Sequence, residues 1–167
     1  MKGFLSVIDR VNKWVGTGMS YIILAMIFMT VYEVISRFVF QSPTVWAHKI
    51  TAQTFGFYLI MAGGYALLLK AHIRVDVLWS RLSPRKRAIV DLFTFTIAFL
   101  FIGTLLYRVG IFAWQSTQIL ERSYAPFSMH VWPLKSVMIL GVSLLLLQLI
   151  AKYIRDLYLA ITGVEYA

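Results

Sequence analysis

Cysteine is absent from this 167-residue sequence, and formal charge is scarce. Without cysteine the chain has no disulfide, no thiolate metal ligand and no cysteine-held iron–sulfur cluster. Charged residues make up 14% of the sequence, whereas a soluble domain usually carries about a quarter. Acidic residues are the scarcer sign, at 7 against 16 lysines and arginines. The composition therefore disfavours a soluble catalytic domain.

Charges are missing altogether from four long stretches, which are Trp14–Tyr32, Ile50–Leu69, Leu92–Tyr107 and Ser136–Ala151. A charged side chain at the centre of a membrane helix costs about 2.5–3.5 kcal/mol on insertion scales. About 20 apolar residues cross a bilayer core, and each stretch reaches that length with its flanks. The sequence therefore predicts an all-α integral membrane protein with four transmembrane helices and no separate soluble domain.

The basic residues predict the orientation of these helices. Most of them lie in the N-terminal tail, in the connection 70–87 and in the C-terminal tail, and few lie in the other two connections. By the positive-inside rule, both termini and the connection 70–87 are expected in the cytoplasm. The net charge of +9 is thus distributed between spans rather than over one face of a folded domain, and we expect no nucleic-acid partner.

Start signals and apolar periodicity divide the chain, 1–167, into one membrane domain. Ser42-Pro43 and Ser83-Pro84 each read as an N-cap followed by a first-turn proline. Two amphipathic segments, a lead-in at residues 4–15 and a short helix, are expected to lie in the cytoplasmic interface. The predicted bounds are about 14–40 for helix 1, 43–69 for helix 2, 75–82 for the short helix, 84–114 for helix 3 and 127–155 for helix 4.

Two spans contain charged residues that are candidates for function. Glu33 and Arg37 are four residues apart, so they share a helix face and can pair. Glu33 lies near the outer end of its span, which favours structural or interface pairing over ion coupling, although intramembrane carboxylates are often functional. Arg108 lies in the third span. Two interpretations stay open for it, namely snorkelling to a lipid headgroup and contact with a partner subunit.

Histidines and glycines offer weaker signals. His48, His72 and His130 fall in connections or at span ends, so haem ligation is disfavoured and no cofactor, metal or enzyme activity is expected. Small residues recur at helical spacing, and such spacing lets helix backbones approach closely in lipid. Packing within the bundle is the favoured interpretation for all of them, which are Ala52, Gly56, Gly63, Gly64, Gly103 and Gly110.

Several short motifs carry a resemblance to a known family. They are Arg37-Phe38-Val39-Phe40, Ser42-Pro43, Trp46, a glycine-bearing second span, and His72-Ile73-Arg74-Val75-Asp76 with Leu78. Together they resemble the small membrane subunit of tripartite ATP-independent periplasmic (TRAP) transporters, the DctQ-like family. His72, Arg74 and Asp76 form the most specific part, a cytoplasmic family motif.

The resemblance implies a three-part transporter in the bacterial inner membrane. A periplasmic substrate-binding protein captures an organic acid, and a large multi-span membrane subunit imports it with a cation gradient. The small subunit is non-catalytic; it scaffolds the large one among the membrane lipids and helps to dock the binding protein. Partner contacts are expected at an outer rim and on the third span, at Glu33, Arg37, Trp46, His48, Lys49, Arg108, Arg122 and His130.

Two other functions remain as alternatives. A free-standing four-helix exporter would use Glu33 as its membrane carboxylate. A membrane anchor for a redox enzyme would need no soluble domain of its own. The absence of transport by this chain alone and of a haem spectrum would discriminate against each in turn.

Overall fold

The computed structural model describes residues 2–69, 84–124 and 128–163. Within these ranges the chain is helical, and its only β-type pairing is an isolated bridge between Arg122 and His130. The part of the chain that the structure describes is all-helical, as the sequence predicts. Its four helices are α1 (Lys2–Phe38), α2 (Val45–Leu68), α3 (Pro84–Gln118) and α4 (Trp132–Thr162). Three of them, α1, α3 and α4, are long and apolar enough to cross a membrane, and α2 is the shortest of the four.

The helices extend beyond the charge-free stretches of the sequence. α1 is continuous from Lys2, and α4 runs from Trp132 to Thr162 with Pro133 in its first turn. A charged residue ends an apolar stretch but not a helix, because charged side chains can project from one face. The short helix expected at 75–82, together with His72, Arg74 and Asp76, lies outside the described residues.

The start of α2 differs from the sequence prediction. Ser42 does not cap this helix, because its N–H donates to Ser36 O at the end of α1 (2.9 Å). Gln41 has a left-handed φ of 50°, so the chain is still turning at Ser42. Thr44 is the N-cap of α2, and its side chain makes no capping hydrogen bond within the helix.

α4 is the central helix of the bundle. It packs extensively on α3 and α2 and more lightly on α1, whereas α1 packs mainly on α2. The order is therefore α1–α2–α4–α3, with α1 and α3 on the flanks. We call the end that holds residues 39–44 and 119–131 the connection end. The opposite end, with the start of α1 and the end of α4, is the termini end.

The main apolar core lies between α3 and α4. α3 contributes Phe95, Ile102 and Val109, and α4 contributes Val142 and Leu149. Both sets repeat every seven residues, the spacing at which one face of a helix meets a neighbour. A single seven-residue stripe buries only one side of α3, so its opposite side faces outward.

A second, smaller core joins the two ends of the chain. Leu5 and Ile8 of α1 are buried against Ala151 of α4. The lead-in was expected to lie in the interface with Phe4, Ile8 and Val11 on its apolar face. Ile8 packs against α4, whereas Phe4 and Val11 are exposed and leave an apolar surface on the lead-in, which continues α1 without a break.

Two glycines allow helices to approach more closely than any side chain would permit. A Cβ on Gly16 of α1 would lie 2.1 Å from Cγ of Tyr65 in α2. A Cβ on Gly141 of α4 would lie 2.6 Å from Ile60 Cγ2 and 3.1 Å from the Ile60 backbone. Close backbone approach of this kind is how membrane helices gain packing energy.

The glycines that the sequence singled out on α3 do not pack inside the chain. A Cβ on Gly103 or Gly110 would meet no atom within 4 Å, and the same holds for Gly56 of α2. The expectation of packing within the bundle is therefore wrong for these three. It fits Gly64, which lies against α1.

Candidate functional site

Most of the predicted rim residues lie at the connection end. Arg108 is the exception, since it lies ten residues before the end of α3 and therefore closer to the termini end. The others belong to the end of α1, the start of α2 and the α3–α4 connection, and they are Glu33, Arg37, Trp46, His48, Lys49, Arg122 and His130.

Glu33 is held by contacts within the chain. Its Oε1 accepts a hydrogen bond from Arg37 Nη2 (2.8 Å), and its Oε2 accepts one from the Thr44 backbone N–H (3.3 Å). The Thr44 hydroxyl donates to the same Oε2. A carboxylate from α1 thus takes the place of a side-chain cap at the positive N-terminal end of α2. Thr44, which sequence reasoning missed, fixes this turn together with Glu33.

A half-open pocket of about 230 Å³ lies between α1 and α2 beside this pair. Arg37 and His48 are its exposed cationic or titratable members. Tyr32 and Trp46 form an aromatic contact between the same helices, with ring centroids 6.0 Å apart. Since the Arg37 guanidinium already pairs with Glu33, a cation at this carboxylate would compete with it.

The connection between α3 and α4 is closed by backbone hydrogen bonds. Ser123 N donates to Met129 O (2.7 Å), and Val131 N donates to Glu121 O (3.0 Å). Arg122 and His130 lie opposite each other in the isolated bridge, and both are exposed. These bonds bring two cationic or titratable side chains together on the described part of the connection.

Lys49 ties this loop to α2. Its ammonium group donates to the Tyr124 carbonyl. All four described helices therefore meet around the connection end, and the rim residues share one surface.

Glu121 and Lys135 form an ion pair below this surface, with Nζ 2.5 Å from Oε2. Lys135 is only 9% exposed, and its ammonium lies 3.9 Å from the centre of the Phe112 ring. The hydrogen bond from Lys135 lowers the pKa of the Glu121 carboxyl. The carboxylate therefore stays ionised further into acid than usual, and it keeps the buried ammonium paired.

A second polar cluster, which the sequence did not predict, lies at the termini end between α1 and α4. Asp9 accepts hydrogen bonds from Arg155 (2.6 Å to Nη2) and from Gln148 Nε2 (2.9 Å). Gln148 Oε1 in turn accepts from Asn12 Nδ2 (2.9 Å). Asn12 and Gln148 are each 1% exposed. We call these four residues the termini-end network.

The network reaches α2 through Gly64. A Cβ there would lie 2.0 Å from Asn12 Oδ1, so the glycine leaves the space that the amide occupies. α3 is joined to α4 nearby, where Lys152 lies 3.8 Å from Asp91 and 4.7 Å from the Phe95 ring centre. Polar contacts at the termini end therefore join α1, α3 and α4, and Gly64 of α2 lies against the amide of Asn12.

Sequence reasoning missed this network for an identifiable reason. The candidate residues within the spans were the charged ones, and Asn12 and Gln148 are uncharged amides. An amide in the middle of a long apolar run, as Gln148 is, was the available signal, because such a group needs a hydrogen-bond partner in lipid. Its partner could not be named, since α1 and α4 lie at opposite ends of the chain.

Arg108 lies on the outward side of α3. It lines a shallow groove with Val109, Ile111, Phe112 and Gln115, and its side chain is exposed. The structure thus separates it from the rim residues with which the sequence had grouped it.

The described polar groups join helices to one another. Each of the clusters at Glu33, Glu121 and Asp9 pairs a carboxylate with a cation from the same chain. In the ranges that the structure covers, no group of three His, Asp or Glu residues could hold a metal ion. These polar contacts can hold the four described helices in fixed positions relative to one another.

The chain was compared with protein-family models and with curated proteins. The family model described as "Tripartite ATP-independent periplasmic transporters, DctQ component" matches residues 26–158. No curated protein matches the chain. The matched range includes α2 and α3, the last third of α1 and most of α4.

Proposed function

Since the chain belongs to the DctQ family of tripartite ATP-independent periplasmic transporter components, we propose that it is a non-catalytic small permease subunit. In this role it scaffolds the large membrane subunit of a cation-gradient-driven importer of organic acids. It also helps to dock the periplasmic substrate-binding protein. The scaffold role is the part that the geometry supports best.

The observation that carries the scaffold role is the internal pairing of polar groups at both ends of the bundle. Glu33 and Glu121 are paired at the connection end, and Asp9 is paired at the termini end. Groups that move a substrate or an ion must exchange partners during transport, whereas each of these groups already has a partner within the same chain. A bundle tied in this way can serve as a fixed element against which another subunit moves.

The proposed orientation places the connection end in the periplasm and both termini in the cytoplasm of a bacterial inner membrane. The basic residues support it, because the tails and the connection 70–87 hold most of them. The packing of Leu5 and Ile8, near the start of the chain, against Ala151 of α4 supports a common side for the two termini.

The docking role rests on the rim at the connection end. Arg37, Trp46, His48, Arg122 and His130 are exposed there. Neighbouring positive groups attract an acidic surface and raise the rate of encounter. We therefore propose that the binding protein presents acidic residues to this rim.

Charge reversal at the rim tests the docking role. The double variant Lys49→Glu/Arg122→Glu is expected to lower uptake by about ten-fold, which corresponds to about 1.4 kcal/mol. The measurement is substrate uptake by the reconstituted three-part system at several salt concentrations. The neutral double variant Lys49→Gln/Arg122→Gln is the matched control, and its loss should be smaller.

The membrane complex must survive both changes for this test to count. Size-exclusion chromatography of the small and large subunits checks it, because Lys49 also contacts the Tyr124 carbonyl. Uptake that stays unchanged in the charge-reversal variant, with the complex intact, would contradict docking at the rim.

A free-standing exporter is the weaker candidate. Its mechanism needs Glu33 to bind and release an ion, but Arg37 and Thr44 hold both carboxylate oxygens. A membrane anchor for a redox enzyme gains no support from the family assignment, which names a transporter component.

A further inference from the structure

The outward side of α3 is a large apolar surface that no described helix covers. Its side chains point away from α4, because the buried stripe of Phe95, Ile102 and Val109 lies on the other side. We call it the α3 outer face. The large exposed side chains on it are Phe93, Ile97, Leu100, Phe101, Tyr107, Ile111 and Trp114.

A charge lies within this apolar surface. Arg108 is exposed on the α3 outer face, and the ion pairs found among the described residues do not include it. Gln115, two helical turns further along, lines the same groove. Arginine within a membrane span is costly unless an opposite charge or water meets it. A partner that brings a negative group to the α3 outer face would remove this cost.

α3 also has room for a close neighbour on the flank away from Arg108. A Cβ on Gly103 would meet no atom within 4 Å, and neither would one on Gly110. Where a glycine faces open space, another helix can bring its backbone near. Gly18 on α1 is equally open, so these glycines leave space for a helix, and the charge on Arg108 is what distinguishes the two faces.

We propose that the α3 outer face is the surface on which the large membrane subunit packs, with a carboxylate of that subunit pairing with Arg108. This inference rests on the proposed function and deepens it. It assigns the scaffold contact to one helix of the four and gives the partner's helix a required acidic residue at the depth of Arg108.

A second copy of this chain would not meet the requirement. The described acidic residues that could face Arg108 are already engaged within the chain: Asp9 with Arg155, Glu33 with Arg37, Asp91 with Lys152, and Glu121 with Lys135. Asp156 has an interaction of its own as well. A pair of copies packed through α3 would bring together two arginines and no available carboxylate, so charge complementarity favours a different chain.

The outer side of α1 differs from the α3 outer face in having no charged residue within its apolar stretch. It is also apolar and exposed, with Trp14, Tyr21 and Phe28 among its side chains. No charged residue occurs between Lys13 and Glu33, so lipid alone can cover this face. α1 therefore supplies the control surface.

Paired variants on the two flanking helices test the proposal. The full chain is co-expressed with its large membrane subunit, and the recovery of the complex is measured after purification into nanodiscs. Arg108→Glu and Gly103→Phe are each expected to lower recovery by about ten-fold, equivalent to about 1.4 kcal/mol. Gly18→Phe on α1, where a Cβ would also meet nothing within 4 Å, is expected to leave recovery unchanged.

Two further measurements keep the result interpretable. Thermal unfolding of each purified small subunit shows whether a variant still folds; if Gly103→Phe does not, Arg108→Leu replaces it. Because the chain has no cysteine, Thr104→Cys gives a single thiol on the α3 outer face and Phe28→Cys gives one on α1. The Thr104→Cys thiol is expected to cross-link to the large subunit, and the Phe28→Cys thiol is not.

Several outcomes would overturn the proposal while leaving the scaffold role in place. One is a complex that survives all α3 variants or is lost with Gly18→Phe. Another is a Thr104→Cys cross-link between two copies of this chain. A third is an Arg108→Glu variant that keeps the complex and loses only its stabilisation by anionic lipids. If the wild-type chain fails to recover the large subunit at all, the proposed function itself is wrong.

Discussion

Replacing Gly16 by alanine should lower the thermal midpoint of the purified chain markedly. The new methyl group would lie 2.1 Å from Tyr65 Cγ and 2.4 Å from Tyr65 Cβ. These atoms are close to the α2 backbone, so the side chain cannot simply rotate its far end away. Overpacking of this kind costs about 2–3 kcal/mol, which corresponds to about 5–10 °C for a chain of this size.

Gly18→Ala on the same helix is the matched control. A Cβ at Gly18 meets nothing within 4 Å, so only helix propensity changes, and alanine should stabilise the helix by about 1 kcal/mol at most. The two substitutions are chemically identical and lie two residues apart. Equal midpoints for both variants would show that α1 and α2 do not approach as closely as the structure has them.

Reversing the charge of Arg155 should weaken the attachment of α1 to α4. Arg155→Asp places a carboxylate opposite Asp9, which accepts two hydrogen bonds from the native guanidinium. Breaking a buried pair costs about 3–5 kcal/mol. Because both side chains here are partly exposed, we expect about 2–3 kcal/mol, by the same principle discounted for solvent. The measurement is the thermal midpoint in detergent at neutral pH.

The exchanged pair is the control for this variant. Asp9→Arg/Arg155→Asp restores opposite charges at the same two positions, so it should recover about half or more of the lost stability. Failure of the exchange to recover any stability would mean that the contact contributes through packing rather than through charge.

The fold was predictable to the extent that it depends on the bilayer. Four charge-free stretches predict the helical class, because they depend on the cost of charge in hydrocarbon. The positions of the helix ends were harder to predict from the sequence. α1 begins at Lys2, before the first long apolar stretch, because Leu5 and Ile8 are buried against α4. A contact with the other end of the chain cannot be read from local pattern.

The candidate site was predicted in part. The pairing of Glu33 with Arg37 follows from their spacing, and the structure has it. The role of Thr44 did not follow, because the backbone turn at Gln41 shifts the cap away from Ser42. Asn12 and Gln148 were missed because amides carry no charge, although a buried amide demands a partner as a buried charge does.

Reconstitution with and without this chain tests the central claim most directly. Organic-acid uptake would be measured in proteoliposomes that contain the large membrane subunit, the substrate-binding protein and a sodium gradient. We predict uptake only when the small chain is present in complex with the large subunit, and no uptake by the small chain alone. Transport by the small chain alone, abolished by Glu33→Gln, would contradict the scaffold role. Full uptake by the large subunit in the absence of the small chain would contradict it as well.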